Sequence, residues 1–316
     1  MKRATWALLF SMALASAALA QVPSTIRIII PNPPGGTMDA LFRIIAERIG
    51  RLHNLTVIIE YKAGASTIIG SEYVARSAPD GATLLVAANS FVINPHLRKL
   101  NFDPLTSFEP LCHIAEVPQT IAVHGKSPWK TLGDLMSAAR AKPGEVSIGS
   151  NGPTTAQHMV VEKFRRDAKL DMIYVPFPGG ASAVNAILGQ HVNSIAAAYP
   201  ELNSHVQAGD LRVLATTGAR RLNALPDVPT LAEAGIELDL ANFMMVLAPA
   251  KTPRPVLDKL GEYFAEAVKA PELQPRFAPF LVTTVGVCGA PVAAFLKTQY
   301  DATGRIVREA NIKVQE

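Results

Sequence analysis

Past its first twenty residues the 316-residue chain has no apolar run approaching the roughly 20 residues that a membrane helix needs, so its bulk is not expected to span a bilayer. Charge is scarce, at 18% of residues, and nearly balanced: 30 basic side chains less Lys2 and Arg3 leave 28 against 26 acidic ones. With no basic run and no aromatic-interleaved stripe, electrostatic capture of nucleic acid is excluded as the expected role. Catalytic signatures are missing too. Ser66 lies in Gly64-Ala65-Ser66-Thr67-Ile68, with Ile68 where a nucleophile elbow requires its second glycine. Gly125-Lys126-Ser127 resembles the end of a phosphate loop, but Thr120 occupies the place of the first glycine. The histidines at 53, 96, 113, 124, 158, 191 and 205 form no zincin spacing, and neither Cys112 nor Cys288 has a Cys-x-x-Cys partner. No metal and no cofactor are expected. Two separately buried thiols are the expectation for the cysteines, and a long-range disulfide is the alternative.

What is present begins with an export signal. Lys2 and Arg3 precede an apolar stretch from Ala4 to Leu14, and Ala18-Leu19-Ala20 forms a small-x-small cleavage site before Gln21. Removal of 1–20 places the remainder in the periplasm, long enough for two domains. Aliphatic runs then alternate with helical patterns. Ile26 to Ile30, Val57 to Glu60 and Leu84 to Ala87 read as strands, and Leu41, Ile44, Ile45, Ile49 and Leu52 recur at helical spacing. Continuous rather than alternating apolar strands suit a parallel sheet covered by helices on both faces. A Pro-rich transition over 103–110 and a long extended segment, 111–124, precede a second βα series. The expected architecture is α/β in two lobes, each a mostly parallel sheet flanked by helices: lobe 1 from 21–110 and 245–316, lobe 2 from 111–244.

Four glycine-rich turns follow predicted strands and lead into helices: 31–39, 63–67, 149–155 and 178–182. Helix N-termini present free backbone N–H groups and a partial positive charge, and glycine lets a ligand approach them closely. Because these loops carry almost no basic side chains, a bound anion would be held by backbone dipoles. Ordinary βα turns with Ser or Thr caps are the competing reading.

The chain also resembles a known family across its mature length. The residues that carry this are Ile28-Ile29-Ile30-Pro31 leading to Pro33-Pro34-Gly35-Gly36-Thr37-Met38-Asp39, Ala78-Pro79-Asp80-Gly81-Ala82-Thr83-Leu84-Leu85, Ile93-Asn94-Pro95, Leu225-Pro226-Asp227-Val228-Pro229-Thr230 with Glu233-Ala234-Gly235, and Leu247-Ala248-Pro249. Their order and spacing resemble the Bug family, the extracytoplasmic receptors of tripartite tricarboxylate transporters. The resemblance implies a two-lobed periplasmic binding protein of type II topology. It would be non-enzymatic, closing on a small organic carboxylate or amino-acid-like solute and delivering it to a membrane permease. The implied ligand set is Gly35, Gly36, Thr37, Asp39, Ser66, Ser90, Ser150, Asn151, Thr154, Thr155, His158, Gly179 and Tyr199. For Asp39 a helix first-turn role is expected ahead of contact with a ligand amine, and for His158 helix packing ahead of ligand contact. This sequence departs from the family pattern at Asn32, at Ala63, at Ser66, where a second glycine is common, at 177–179 and at 197–199. A secreted enzyme pairing His158 with a Ser or Thr nucleophile, and a ligand sensor for a signalling system, are the alternatives.

Overall fold

The computed structural model describes residues 22–152, 155–218, 220–236, 238 and 242–313, so the expected export signal lies outside the described residues. The first lobe is built on strands β1 (Thr25–Ile30), β2 (Thr56–Tyr61), β3 (Thr83–Ala87), β4 (Phe108–Glu116), β10 (Phe243–Pro249) and β11 (Thr283–Cys288), in the order β11-β4-β10-β3-β1-β2. The second holds β5 (Gln119–His124), β6 (Ser147–Asn151), β7 (Ile173–Phe177), β8 (Ser194–Ala198) and β9 (Leu211–Thr216), in the order β7-β6-β8-β5-β9. Helices pack around them: α1 (Thr37–His53), α2 (Ile68–Ala75), α3 (Asn89–Leu97), α8 (Arg254–Lys269) and α9 (Ala290–Glu309) with the first sheet, and α4 (Leu132–Ala141), α5 (Ala156–Asp167), α6 (Gly180–Leu188) and α7 (Tyr199–Gln207) with the second. This is the expected two-lobed α/β architecture.

The apolar runs explain the layers. Ile28, Ile29 and Ile30 of β1 are all fully buried, because Ile28 and Ile30 face the core that includes α1 and α8 while Ile29 faces the core that includes α9. Leu41, Phe42, Ile45 and Ile49 form the buried stripe of α1. In each sheet three strands run parallel, β2-β1-β3 and β7-β6-β8. The strand arriving from the other lobe, β10 or β5, is inserted antiparallel beside the third. The sheets are therefore mixed, and the expectation of mostly parallel pairing holds only for those three strands.

Sheet membership also moves the crossing. β4 runs through position 110 and pairs with both β10 and β11, so the chain leaves the first sheet at Val117-Pro118, not near 110, and it re-enters at Phe243. The expected extended segment 111–124 is thus two strands in two sheets. At the crossing Val117 N–H donates to Asn242 O (2.7 Å), Tyr199 N–H to Pro118 O (2.9 Å) and Thr217 N–H to Gln119 O (2.8 Å). Away from it, α5 packs on α9 and α3 through Met159, Ile93, Ala302, Ile306 and Val307, with an Arg166–Glu309 ion pair on the same contact.

The cysteines correct another expectation. Cys112 and Cys288 are direct partners in the antiparallel β4–β11 ladder, with Cα atoms 4.0 Å apart, and form a disulfide with an S–S distance of 2.03 Å. Their separation of 176 residues hides this pairing from the sequence.

Candidate functional site

Register places the site. Ala87, the last residue of β3, pairs with Met245, two positions into β10, and Ala198, the last of β8, pairs with Gln119, the first of β5. The C-terminal ends of all six parallel strands therefore point at the crossing, each set toward the other lobe. Ligands of open α/β sheets bind at this edge, and the four glycine-rich turns lie on it.

In the first lobe Asp39 organises the β1–α1 turn. Its carboxylate accepts from Gly35 N–H (2.8 Å), from Tyr61 Oη (2.6 Å) and from Arg43 Nε (2.7 Å), and the residue is only 6% exposed. Burial alone would raise this carboxyl, but the hydrogen bonds from Tyr61, Gly35 and Arg43 together outweigh it and hold it below the usual carboxylate range. Pairing with Arg43 offsets the negative charge that would otherwise oppose an anion at the start of α1. The Gly35 N–H is consumed by Asp39, which leaves the N–H groups of Gly36, Thr37 and Met38 at the exposed helix terminus. Gly36 has φ −86°, and a Cβ built on it meets nothing within 4 Å.

The β2–α2 turn is strained. Gly64 is followed by Ala65, Ser66 and Thr67 at φ +46°, +52° and +78°. A left-handed L-residue costs about 1–2 kcal/mol, and a β-branched one is a clear outlier. The turn is fixed by Asn94 Nδ2 donating to Ser66 O (2.7 Å), by Thr67 N–H donating to Gly64 O (3.0 Å), and by a 2.9 Å bond between Thr67 Oγ1 and Ser90 Oγ. Asn89, beside Ser90, accepts from the Phe243 N–H (3.2 Å), tying this corner to the strand that re-enters the lobe.

The second lobe turns its hydroxyls inward. Ser150, fully buried, donates to Asn151 O (2.9 Å) and lies 3.2 Å from Tyr174 Oη, which itself donates to Asn151 O (3.0 Å). Thr155 caps α5 by accepting from His158 N–H (3.3 Å) and donates to Gly152 O (2.8 Å). His158 is 5% exposed, stacks on Tyr174 at 4.5 Å and places Nε2 3.5 Å from Glu162 Oε1. Tyr199 has its ring in the core of the lobe. The side chains of Ser150, His158 and Tyr199 are thus buried within the lobe, and for His158 this is the helix-packing setting expected ahead of ligand contact. Thr154 lies outside the described residues. Gly35, Gly36, Thr37, Ser66, Ser90, Asn151, Thr155 and Gly179 lie on the facing edges with some surface open. The Ser150 and Thr155 hydroxyls are directed onto main-chain carbonyls.

Sequence reasoning missed Tyr61, Tyr174, Asn89 and Thr67. Arg43 was within reach, since it stands four residues beyond Asp39 on one helical face. The tyrosines come from neighbouring strands and leave no local signal.

The model of the tripartite tricarboxylate transporter family receptor matches residues 41–312. The protein BugT of Bordetella pertussis is 29% identical over 296 residues, covering 92% of this chain and 90% of that one. A solved structure described as a periplasmic transporter superposes with a TM-score of 0.78 at 32% identity, covering 92% of this chain and 98% of its own. An R. palustris protein solved with adipate superposes with a TM-score of 0.77 at 26% identity, covering 92% and 98%.

Proposed function

This chain belongs to the tripartite tricarboxylate transporter receptor family, and on that premise we propose that it captures one small organic carboxylate in the cleft between its lobes and delivers it to a membrane permease. The observation that carries the reading is the open α1 terminus at Gly36, with its neighbouring acid already neutralised, on a sheet edge that points toward the matching edge of the second lobe. The relative solved with adipate directs attention to dicarboxylates of four to six carbons, and acidic amino acids belong to the same test. The protein acts without turnover of its solute. It works in the periplasm after losing residues 1–20; among the described residues no helix is long and apolar enough to cross a membrane. We take 22–116 with 243–313 as lobe 1 and 119–216 as the sheet of lobe 2.

A thermal-shift and calorimetric screen over these acids tests the reading. Binding to the folded state alone adds about 2.7 kcal/mol at a hundredfold excess over Kd, a shift of several degrees. A panel without shift or heat would remove its support.

A further inference from the structure

The two lobes treat the acid at their cleft edge differently. In the first, Asp39 is paired with Arg43; in the second, Glu201 has no cation beside it among the described residues. Glu201 stands in the first turn of α7, just past Ala198, the last residue of β8, so it rises from the edge that points toward lobe 1. Its carboxylate lies against the start of α6. A Cβ built on Gly180 would collide with it, 2.5 Å from Cδ and 2.7 Å from Oε1. One of the four glycine-rich turns, 178–182, is therefore already filled by an acid of the chain's own, and a solute carboxylate has no place there. β6 runs between β7 and β8, and neighbouring strands are about 4.8 Å apart, so the same carboxylate stands beside the turn from β6 into α5. No charge balances it. α6 carries no charged residue, and the basic residue one turn along α7, His205, lies 3.7 Å from Asp210 instead. Glu201 is exposed to the cleft, yet the crowded wall raises its carboxyl above the usual range, and the Ala198 N–H is the only group acting the other way.

Helix capping accounts for an acid at this position, since the third residue of a helix is where Glu or Gln reaches back to the N-cap. It does not account for the placement over Gly180. An unbalanced carboxylate in a binding cleft attracts N–H donors and repels a second carboxylate. We propose that Glu201 is the specificity-determining residue of lobe 2: it accepts a hydrogen bond from a nitrogen donor, amide or ammonium, at the far end of a solute whose carboxylate sits on the α1 terminus of lobe 1. A second carboxylate is tolerated there only at a cost in affinity. The inference rests on the carboxylate-receptor reading and adds to it the group at the other end of the molecule.

The test compares acids of one length that differ at the far end, by titration calorimetry on the wild-type mature protein and on two variants. Succinate is set against its monoamide succinamate and against 4-aminobutanoate, and glutarate against glutaramate and 5-aminopentanoate; the amide and ammonium arms tell the two donors apart. Wild type should bind the better nitrogen-ended acid of a series at least about tenfold more tightly than the dicarboxylate. Glu201→Gln keeps the size and the cap and loses the charge. It should tighten the dicarboxylate by about fivefold or more and weaken the nitrogen-ended acid by about threefold or more. A purely structural residue would not move the two in opposite directions. Glu201→Ala, which offers the solute no hydrogen-bonding group, should lose the preference as well. If in Glu201→Gln both affinities fall together, or neither changes, Glu201 is only a cap and the proposal fails. If wild type binds the dicarboxylate as tightly as its nitrogen-ended counterparts, the proposal fails while the receptor reading stands; if it binds none of these acids, both fail.

Discussion

Thr67 Oγ1 and Ser90 Oγ lie 2.9 Å apart although the strands that lead to them, β2 and β3, are not neighbours: β1 runs between them. The two loops close over the end of β1, beside the turn that leads into α1. Two loops, from two parallel strands, are thereby fixed to each other, a preorganisation of the kind that lowers the entropic cost of binding.

At that terminus, Gly36→Val should abolish binding of the dicarboxylate that stabilises the wild type, because the side chain fills the space in front of the free N–H groups. Its φ of −86° and the empty surroundings of its Cβ predict a normally folded variant, which circular dichroism checks. Lys62 lies over the Tyr73 ring at 4.5 Å, and Lys62→Ala should leave Kd within about threefold. Full affinity in folded Gly36→Val would show that the ligand sits elsewhere.

Asp39→Ala should lower stability by about 1–2 kcal/mol, since it leaves the Gly35 N–H and the Tyr61 hydroxyl without their acceptor. It should also weaken binding by letting the 33–36 turn move. Tyr61→Phe removes one of those bonds and should show the same two effects, each smaller. Denaturant melts with parallel titrations measure both; a Tyr61→Phe protein with wild-type stability and affinity contradicts the organising role.

His113 sets an acid limit. It is 5% exposed, stacks on Phe295 at 4.3 Å, and burial pushes its imidazole down to about 4 from an ordinary 6.5. Glu116 Oε1 is 3.5 Å from Nε2 with no hydrogen bond between them; burial, which raises the Glu116 carboxyl, keeps both groups toward their neutral forms. Between about pH 6.5 and 4 the unfolded chain takes up a proton at this histidine and the folded chain does not, so stability falls as pH drops through that window. The loss approaches about 3 kcal/mol at the acid end, partly offset by Glu116, which acts in the opposite direction. His113→Leu should flatten the curve of unfolding midpoint against pH between 7 and 4; an unchanged slope refutes the assignment.

The Cys112–Cys288 bond closes a loop of 176 residues. In the chain-entropy account such a cross-link contributes about 5 kcal/mol by restricting the unfolded state. Replacing both cysteines with serine, or adding a reductant that opens the bond, should therefore lower the unfolding midpoint of lobe 1 by many degrees, read by calorimetry. A midpoint unmoved by confirmed reduction would show that the bond adds little.

The parallel strands were legible because burial on both faces writes them as unbroken apolar runs, such as Ile28 to Ile30. The α3 helix was not: it starts on Asn89 directly after β3, has no side-chain cap at Ala88, and contains Pro95. The crossing was misplaced because β4 and β5 are locally one extended segment, and only their partners, β10 and β8, distinguish the sheets. In the site the glycines were readable by their chemistry. The direction of the hydroxyls was not, since Ser150 and Thr155 turn inward toward carbonyls and a tyrosine that only the folded chain brings within reach.

The insertion of β10 beside β3 also decides the order in which the lobes can be finished during synthesis. Lobe 2 has all its strands between residues 119 and 216, whereas β3 ends at Ala87 and must wait for Phe243, 156 positions later, before its open side is covered. At roughly 5–20 residues per second that apolar strand would stand bare for about 8–30 s in a growing chain. The later-made half of the polypeptide therefore completes the earlier-made lobe. A nascent chain held unfolded until it is whole escapes that interval, and the stretch from 119 to 216 is the part best suited to fold when cut out and expressed alone.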